Sequence, residues 1–230
     1  MLRSLLYASS SSALRVSGWI QDGRRYDAPA QPDRLLRIDP ARVERKPVTK
    51  PQTGTVPPTV VAGGDWDLEL EPVENDVVHR VFRKRFVEGT PWEETGYVEF
   101  LQSAVSEHGT RSPSEALERC ERLDELYEYV ETNGFRTQRE LERNGSTIDG
   151  LSGSIRPPAY REIAVDVTRD GEFVWHAGMH RLVIAQLLEI EEIPVRVNTR
   201  HEKWQSIRDA ALRGENTEFD DHPDVEYLVR

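Results

Sequence analysis

The sequence predicts an α/β fold, and three observations carry the prediction. Apolar residues return every three or four positions through residues 77–130, the period of amphipathic helices. Ile163, Val165 and Val167 alternate with Glu162, Ala164, Asp166 and Thr168, the two-residue period of a half-buried strand, and Asp170-Gly171 supplies a hairpin turn. Strand, helix, strand and helix then follow within about fifty residues, a compact α/β unit.

Taken in order, residues 1–33 mix Ser, Gly, Arg and Pro with little periodicity and read as a poorly ordered basic extension. Leu35–Ile38 is a short strand stopped by Asp39-Pro40, where proline removes a backbone donor. Residues 46–58 hold Pro47, Pro51, Pro57 and Pro58 and read as a loop. Val60–Ala62 is a second brief strand, ended by Gly63-Gly64 and the cluster Asp65-Trp66-Asp67. Val77, Val78, Val81, Phe82 and Phe86 space as a helix, and Pro91 starts the next helical segment, continued by Tyr97, Leu101 and Val105. Pro113-Ser114 opens a third, whose Leu117, Cys120, Leu123, Leu126, Tyr127 and Val130 share one face until Asn133-Gly134 closes it. Beyond the hairpin, residues 173–176 form a strand broken at Gly178, and residues 180–188 are apolar on most sides, as a helix packed against a sheet would be. In the last strand Ile193, Val195 and Val197 point one way and Arg196, Asn198 and Arg200 the other. Glu202–Leu212 is a closing helix, and residues 214–230 read as an acidic tail.

Charge narrows the function classes. The 41 acidic against 30 basic residues leave a formal −11, so the surface as a whole repels phosphate backbones and anionic lipid. The excess is uneven: residues 1–60 carry +5 and residues 61–230 carry −16. Only four basic residues are Lys (46, 50, 84 and 203), and an acidic, Lys-poor surface suits a halophilic cytosol, where screening removes self-repulsion. The single cysteine, Cys120, makes neither an internal disulfide nor a thiolate zinc cluster, which fits a cytoplasmic setting. Nothing is long and apolar enough to span a bilayer, so no integral membrane segment is expected.

The most informative string is Trp175-His176-Ala177-Gly178-Met179-His180-Arg181-Leu182, at a strand-to-helix turn. A helix that opens directly after glycine presents unpaired N–H groups and the positive end of its dipole, a site for anions. Arg181 and His180 in the first turn would add charged donors, and a nucleotide triphosphate is the natural occupant. The competing reading is structural: Gly178 turns the chain, His180 caps the helix and Arg181 pairs with a surface carboxylate. Asp65 and Asp67, flanking Trp66 after a glycine pair, would hold Mg²⁺ on a nucleotide or act as base toward a hydroxyl, or else cap turns as Asx residues. His176 and His180 stand four apart without the glutamate and continuous helix of a zinc protease, so no metal ligand set is assigned. Arg80, Arg83, Lys84 and Arg85 read as a solvated helix face.

The stretch from Ile163 to Trp204, with its Arg-Asp-Gly hairpin, Ala-Gly-Met-His-Arg-Leu-Val-Ile-Ala-Gln turn and Ile-Pro-Val-Arg-Val strand, resembles the ParB/sulfiredoxin superfamily. Residues 35–43 are similar to its opening strand and proline, and residues 123–135 to the helix before its second strand. The resemblance implies a small mixed sheet with packed helices over residues 34–213, carrying a helical insertion at about 64–160. It implies ATP or CTP, with or without Mg²⁺, cradled by the amides of Gly178, Met179 and His180 and the guanidinium of Arg181, in a phosphotransferase or a nucleotide-dependent switch. Met179 stands where sulfiredoxins carry cysteine and forms no sulfinyl adduct. Ala177 replaces the acidic residue of related free-serine kinases, and Glu189 replaces the usual helix-ending glycine. Two other readings remain. One is a nucleic-acid-associated partition protein or phage-type nuclease, disfavoured because only about thirty residues, acidic on balance, follow Arg200. The other is a scaffold whose helical middle binds a protein partner.

Overall fold

The computed structural model describes residues 25–31, 33–51, 60–103, 112–145, 158–215 and 218–229. Val105 and residues 1–24 of the extension lie outside them.

The fold is mixed α/β. Strands β1 (Leu35–Ile38), β7 (Ile193–His201), β5 (Ile163–Val167) and β6 (Phe173–Ala177) lie side by side in that order, and β3 (Val60–Ala62) also pairs with β7. β1 runs antiparallel to β7, β7 parallel to β5 and to β3, and β5 antiparallel to β6. All five residues of β5 and all nine of β7 are buried, so the polar positions of their alternation are interior rather than solvated. Two further strands, β2 (Arg45–Pro47) and β4 (Leu70–Pro72), form a separate antiparallel ribbon. β2 falls in the stretch read as a loop: three residues ending in proline show no alternation to detect.

The helices follow the apolar periods. They are α1 (Val77–Phe82), capped by Asp76 and continued by a π turn over Arg83–Val87, then α2 (Trp92–Thr95) and α3 (Tyr97–Ser103). α4 (Pro113–Asn133) and α5 (Gln138–Arg143) each start with a capping box, Ser112 with Glu115 and Thr137 with Glu140. α6 (Met179–Leu187), α7 (Glu202–Leu212) and α8 (Glu226–Val229) complete the described set. No helix among the described residues is long and apolar enough to cross a membrane.

α6 explains why residues 180–188 are apolar on most sides: it lies between two cores. Leu182 and Ala185 join Val165, Phe173, Val195 and Trp204 against the sheet, while Met179, Val183 and Ile184 join Phe82, Tyr97, Leu123 and Leu126 in the helical layer. Cys120 is wholly buried in that layer, and burial pushes its thiol up to about 11, keeping it protonated. At the hairpin, Gly171 has φ 82°, and a Cβ there would lie 2.5 Å from Trp204, so the turn and the indole require glycine together.

Two boundaries differ from the sequence reading. Within the supposed extension, Ala28 is buried: its amide donates to Asp209 and its carbonyl accepts from Gln205 and Arg208, docking the segment on α7. The supposed acidic tail is also part of the fold. Asp224 and Val225 are fully buried, and Asp224 accepts from Arg200 (2.8 and 2.6 Å) and the Trp204 indole (2.9 Å). Acidic composition suggested solvation, but this carboxylate neutralises buried guanidinium groups.

Candidate functional site

At the end of β6, Gly178 takes φ 86° and ψ 34° and opens α6, with no side chain capping the helix. A Cβ on Gly178 would stand 3.1 Å from the Cα of Ile163, so the chain passes close to β5 and glycine serves both the left-handed conformation and the approach. Gly178 itself is exposed. The first amides of α6 have no helical carbonyl to pair with, and the glycine at their head is exposed.

The three side chains that follow turn away from the bend. Met179 packs into the helical core. The His180 ring meets Phe82 at 5.5 Å and shares a hydrogen bond between Nε2 and the Tyr97 hydroxyl (2.6 Å); burial pushes its pKa down to about 4, so it is neutral. Arg181 is buried, its Nη1 donating to Glu162 Oε2 (2.9 Å) and its Nη2 to the Arg136 carbonyl (2.5 Å), with the guanidinium 4.4 Å above the Phe135 ring. These placements correct the expectation that His180 and Arg181 add charged donors at the turn. On a helix enclosed on two sides, first-turn side chains are drawn into the layers that cover it, and only the backbone and Gly178 remain at the bend.

Asp65 and Asp67 are likewise committed, and to the hairpin. Asp67 is buried and accepts the Arg169 amide (2.7 Å), Nε (3.0 and 3.1 Å) and Nη2 (2.7 Å). Burial opposes its ionisation, yet the Arg169 side chain and amide hold the carboxyl below its usual range. Asp65 is exposed and gives one oxygen to the same Nη2 (2.9 Å). A base or metal ligand needs a free lone pair toward its substrate, and Asp67 has spent its lone pairs on Arg169. Among the described residues no cluster of three His, Cys, Asp or Glu could hold a metal ion.

A constellation that sequence reasoning missed lies on the sheet face opposite Val165 and Val167. Ala164 pairs with Ala177 and Val165 with Trp175, so His176 is an extra residue in β6; Val165 pairs with Val197 and Asp166 with Thr199, so Asn198 is an extra residue in β7. The two bulges flank one stretch of β5, and they place His176 beside Asp166 and Asn198 beside His176. His176 Nδ1 lies 2.9 Å from Asp166 Oδ2 and 3.3 Å from Asn198 Nδ2, while Asn198 Oδ1 accepts from Arg196 Nη1 (3.1 Å). The available signal was the set of polar residues at alternate positions of two neighbouring strands, which read as solvent-facing because burial of both sheet faces is invisible in a period of two.

Lys50 joins the turn to this face. Its amine donates to the His176 carbonyl (3.0 Å) and lies 5.0 Å from the Trp175 ring centre. It also lines a groove of about 590 Å³ with Ala62, Gly63, Asp65 and Trp66. A larger groove of about 760 Å³ carries five carboxylates, Asp39, Glu44, Glu74, Glu189 and Glu191, against Arg45, and has the wrong sign for phosphate. Compared with family models, curated proteins and solved structures, the chain matches none.

Proposed function

We propose that this chain is a nucleotide-phosphate-binding domain of ParB/sulfiredoxin type that receives the phosphates of ATP or CTP at the bend of residues 178–181. One observation carries the reading: α6 starts at an exposed left-handed glycine and has no side-chain cap hydrogen bond at its N-cap. The site is a backbone one. Gly178, Met179 and His180 contribute N–H groups, Lys50 lies beside the preceding strand end, and Arg181 supports the turn from beneath through Glu162. Mg²⁺, where required, arrives on the nucleotide, since Asp65 and Asp67 are engaged by Arg169. The strand–hairpin–strand–helix–strand order supports the resemblance, and Met179 in place of cysteine leaves binding, switching or phosphoryl transfer as the chemistry.

The test is thermal unfolding of the full chain in molar salt with ATP or CTP, each with and without Mg²⁺. A ligand at a hundredfold excess over its Kd stabilises by about 2.7 kcal/mol, a rise of several degrees for a chain of this size. Gly178→Ala, which strains the bend and covers its amides, should remove most of that rise while the protein still folds. No shift with either nucleotide would refute the assignment.

A further inference from the structure

Most of the well-placed guanidinium groups of this acidic chain are spent on carboxylates: Arg85, Arg169, Arg181, Arg200 and Arg213 each hold one. Arg136 and Arg143 are different. Both are exposed, and among the described residues neither guanidinium pairs with an acid. They line one pocket of about 440 Å³ with Tyr129 and Asn133 at the end of α4 and Glu140 and Asn144 along α5. That volume falls within the roughly 300–1,000 Å³ of small-molecule sites. Arg136, Glu140, Arg143 and Asn144 lie outside the stretches that carry the resemblance.

Glu140 is the one carboxylate in the lining, and no ion pair joins it to either arginine. Its Oε2 accepts the Thr137 amide and hydroxyl (2.8 Å each), which fix the carboxylate. Those bonds, aided by the charges of Arg136 and Arg37, hold its pKa below the ordinary value, so it is ionised. Oε1 keeps its lone pairs for another donor. The walls are fixed too: the Asn133 amide donates to the Tyr129 carbonyl (3.0 Å), the Arg136 carbonyl accepts from Arg181 (2.5 Å), and Gln138 and Leu141 anchor the opposite face of α5 in the interior. In chain order the pocket therefore offers a cation, an anion and a second cation, none neutralised by another. A simple phosphate would meet the Glu140 charge, whereas a ligand with two carboxylates and one ammonium answers all three groups.

We propose that this pocket binds a free dicarboxylic amino acid, Arg136 and Arg143 each taking one carboxylate and Glu140 Oε1 taking the α-ammonium. The site is separate from the Gly178 bend and does not rest on the reading of that bend.

Calorimetric titration of the full chain, at the lowest salt in which it stays folded, tests each contact with L-glutamate, L-aspartate, N-acetyl-L-glutamate and L-glutamine. L-Glutamate or L-aspartate should bind saturably. N-acetylation removes the ammonium charge and glutamine lacks the second carboxylate, so each should bind at least tenfold more weakly than L-glutamate. Arg136→Gln and Arg143→Gln should each weaken amino-acid binding by a similar factor, with the ligand-free unfolding midpoint and the response to nucleotide unchanged, because neither guanidinium has an acid to lose. Glu140→Gln, which keeps the capping box, should bind N-acetyl-L-glutamate as well as L-glutamate. The assignment is overturned if neither amino acid binds, if either arginine variant keeps wild-type affinity, or if N-acetyl-L-glutamate binds the wild type as tightly, which would mark an acidic peptide segment as the occupant. Absence of a nucleotide response would count against the bend alone.

Discussion

Arg181 shows how one side chain can leave a surface role for an internal one. Its guanidinium fills the space between Glu162, the Arg136 carbonyl and the Phe135 ring, and Glu162 uses its other oxygen to accept the Gln138 amide (2.6 Å) at the start of α5. Removing the cation strands a buried carboxylate, which is costly because water cannot replace the lost partner. Arg181→Ala is expected to lower stability by about 3–5 kcal/mol in urea unfolding, whereas Glu162→Gln, whose single carbonyl oxygen keeps an acceptor for only one of the two donors, should cost less because it strands no buried charge on the carboxylate side. If Arg181→Ala unfolds at the wild-type urea midpoint, the ion pair does not hold the turn. A carboxylate partner for Arg181 was legible as one reading, at the surface, but its burial and its identity were not: Glu162 and Gln138 come from other segments, and no local pattern joins them.

Elements whose ends are written in local chemistry were legible, and those defined by pairing were not. Pro113 at the start and Gly134 at the end of α4, the alternation in β5 and the Asp170-Gly171 turn gave elements close to those observed. The β2–β4 ribbon escaped because its three-residue strands exist only through each other, and the two bulges escaped because they are shifts in register between strands rather than features of either one. The helix end at Glu189 is an instructive intermediate. Glycine was the expected residue there, and Glu189 is indeed the one non-glycine residue with positive φ among the described residues, at 50°. Its conformation carries the steric penalty that glycine avoids, so Glu189→Gly is expected to raise stability by roughly 1 kcal/mol by chemical denaturation. A neutral or destabilising result would mean that the side chain compensates the strain through contacts of its own.

At the scale of the whole molecule the two cores share α6, so unfolding of either should carry the other with it. Each core also contains a histidine held neutral. His180 lies among the aromatic rings of the helical layer, and His222 stacks on Phe173 (4.8 Å) and meets Trp204 (4.6 Å), donating Nε2–H to the Gly171 carbonyl (3.0 Å). Burial pushes both down to about 4 from an ordinary 6.5. In the unfolded chain both rings gain protons as pH falls below about 6.5, while the folded protein refuses them until about 4. The unfolded state thus binds more protons throughout that window. The stabilisation these residues give is complete above pH 6.5 and is lost as pH falls toward 4, by up to roughly 3 kcal/mol for each ring. The buried carboxylates act lower: Arg200 and Arg208 overcome the burial of Asp224 and hold it well below the usual range, so its stabilisation persists through the histidine window. Molar salt screens surface charges but leaves buried imidazoles unscreened, so urea midpoints measured in high salt should decline between pH 6.5 and 4.5 with little change from pH 8 to 7. A flat profile across that lower interval, or imidazole resonances of His180 and His222 that titrate near 6.5, would show that neither core excludes the charged ring.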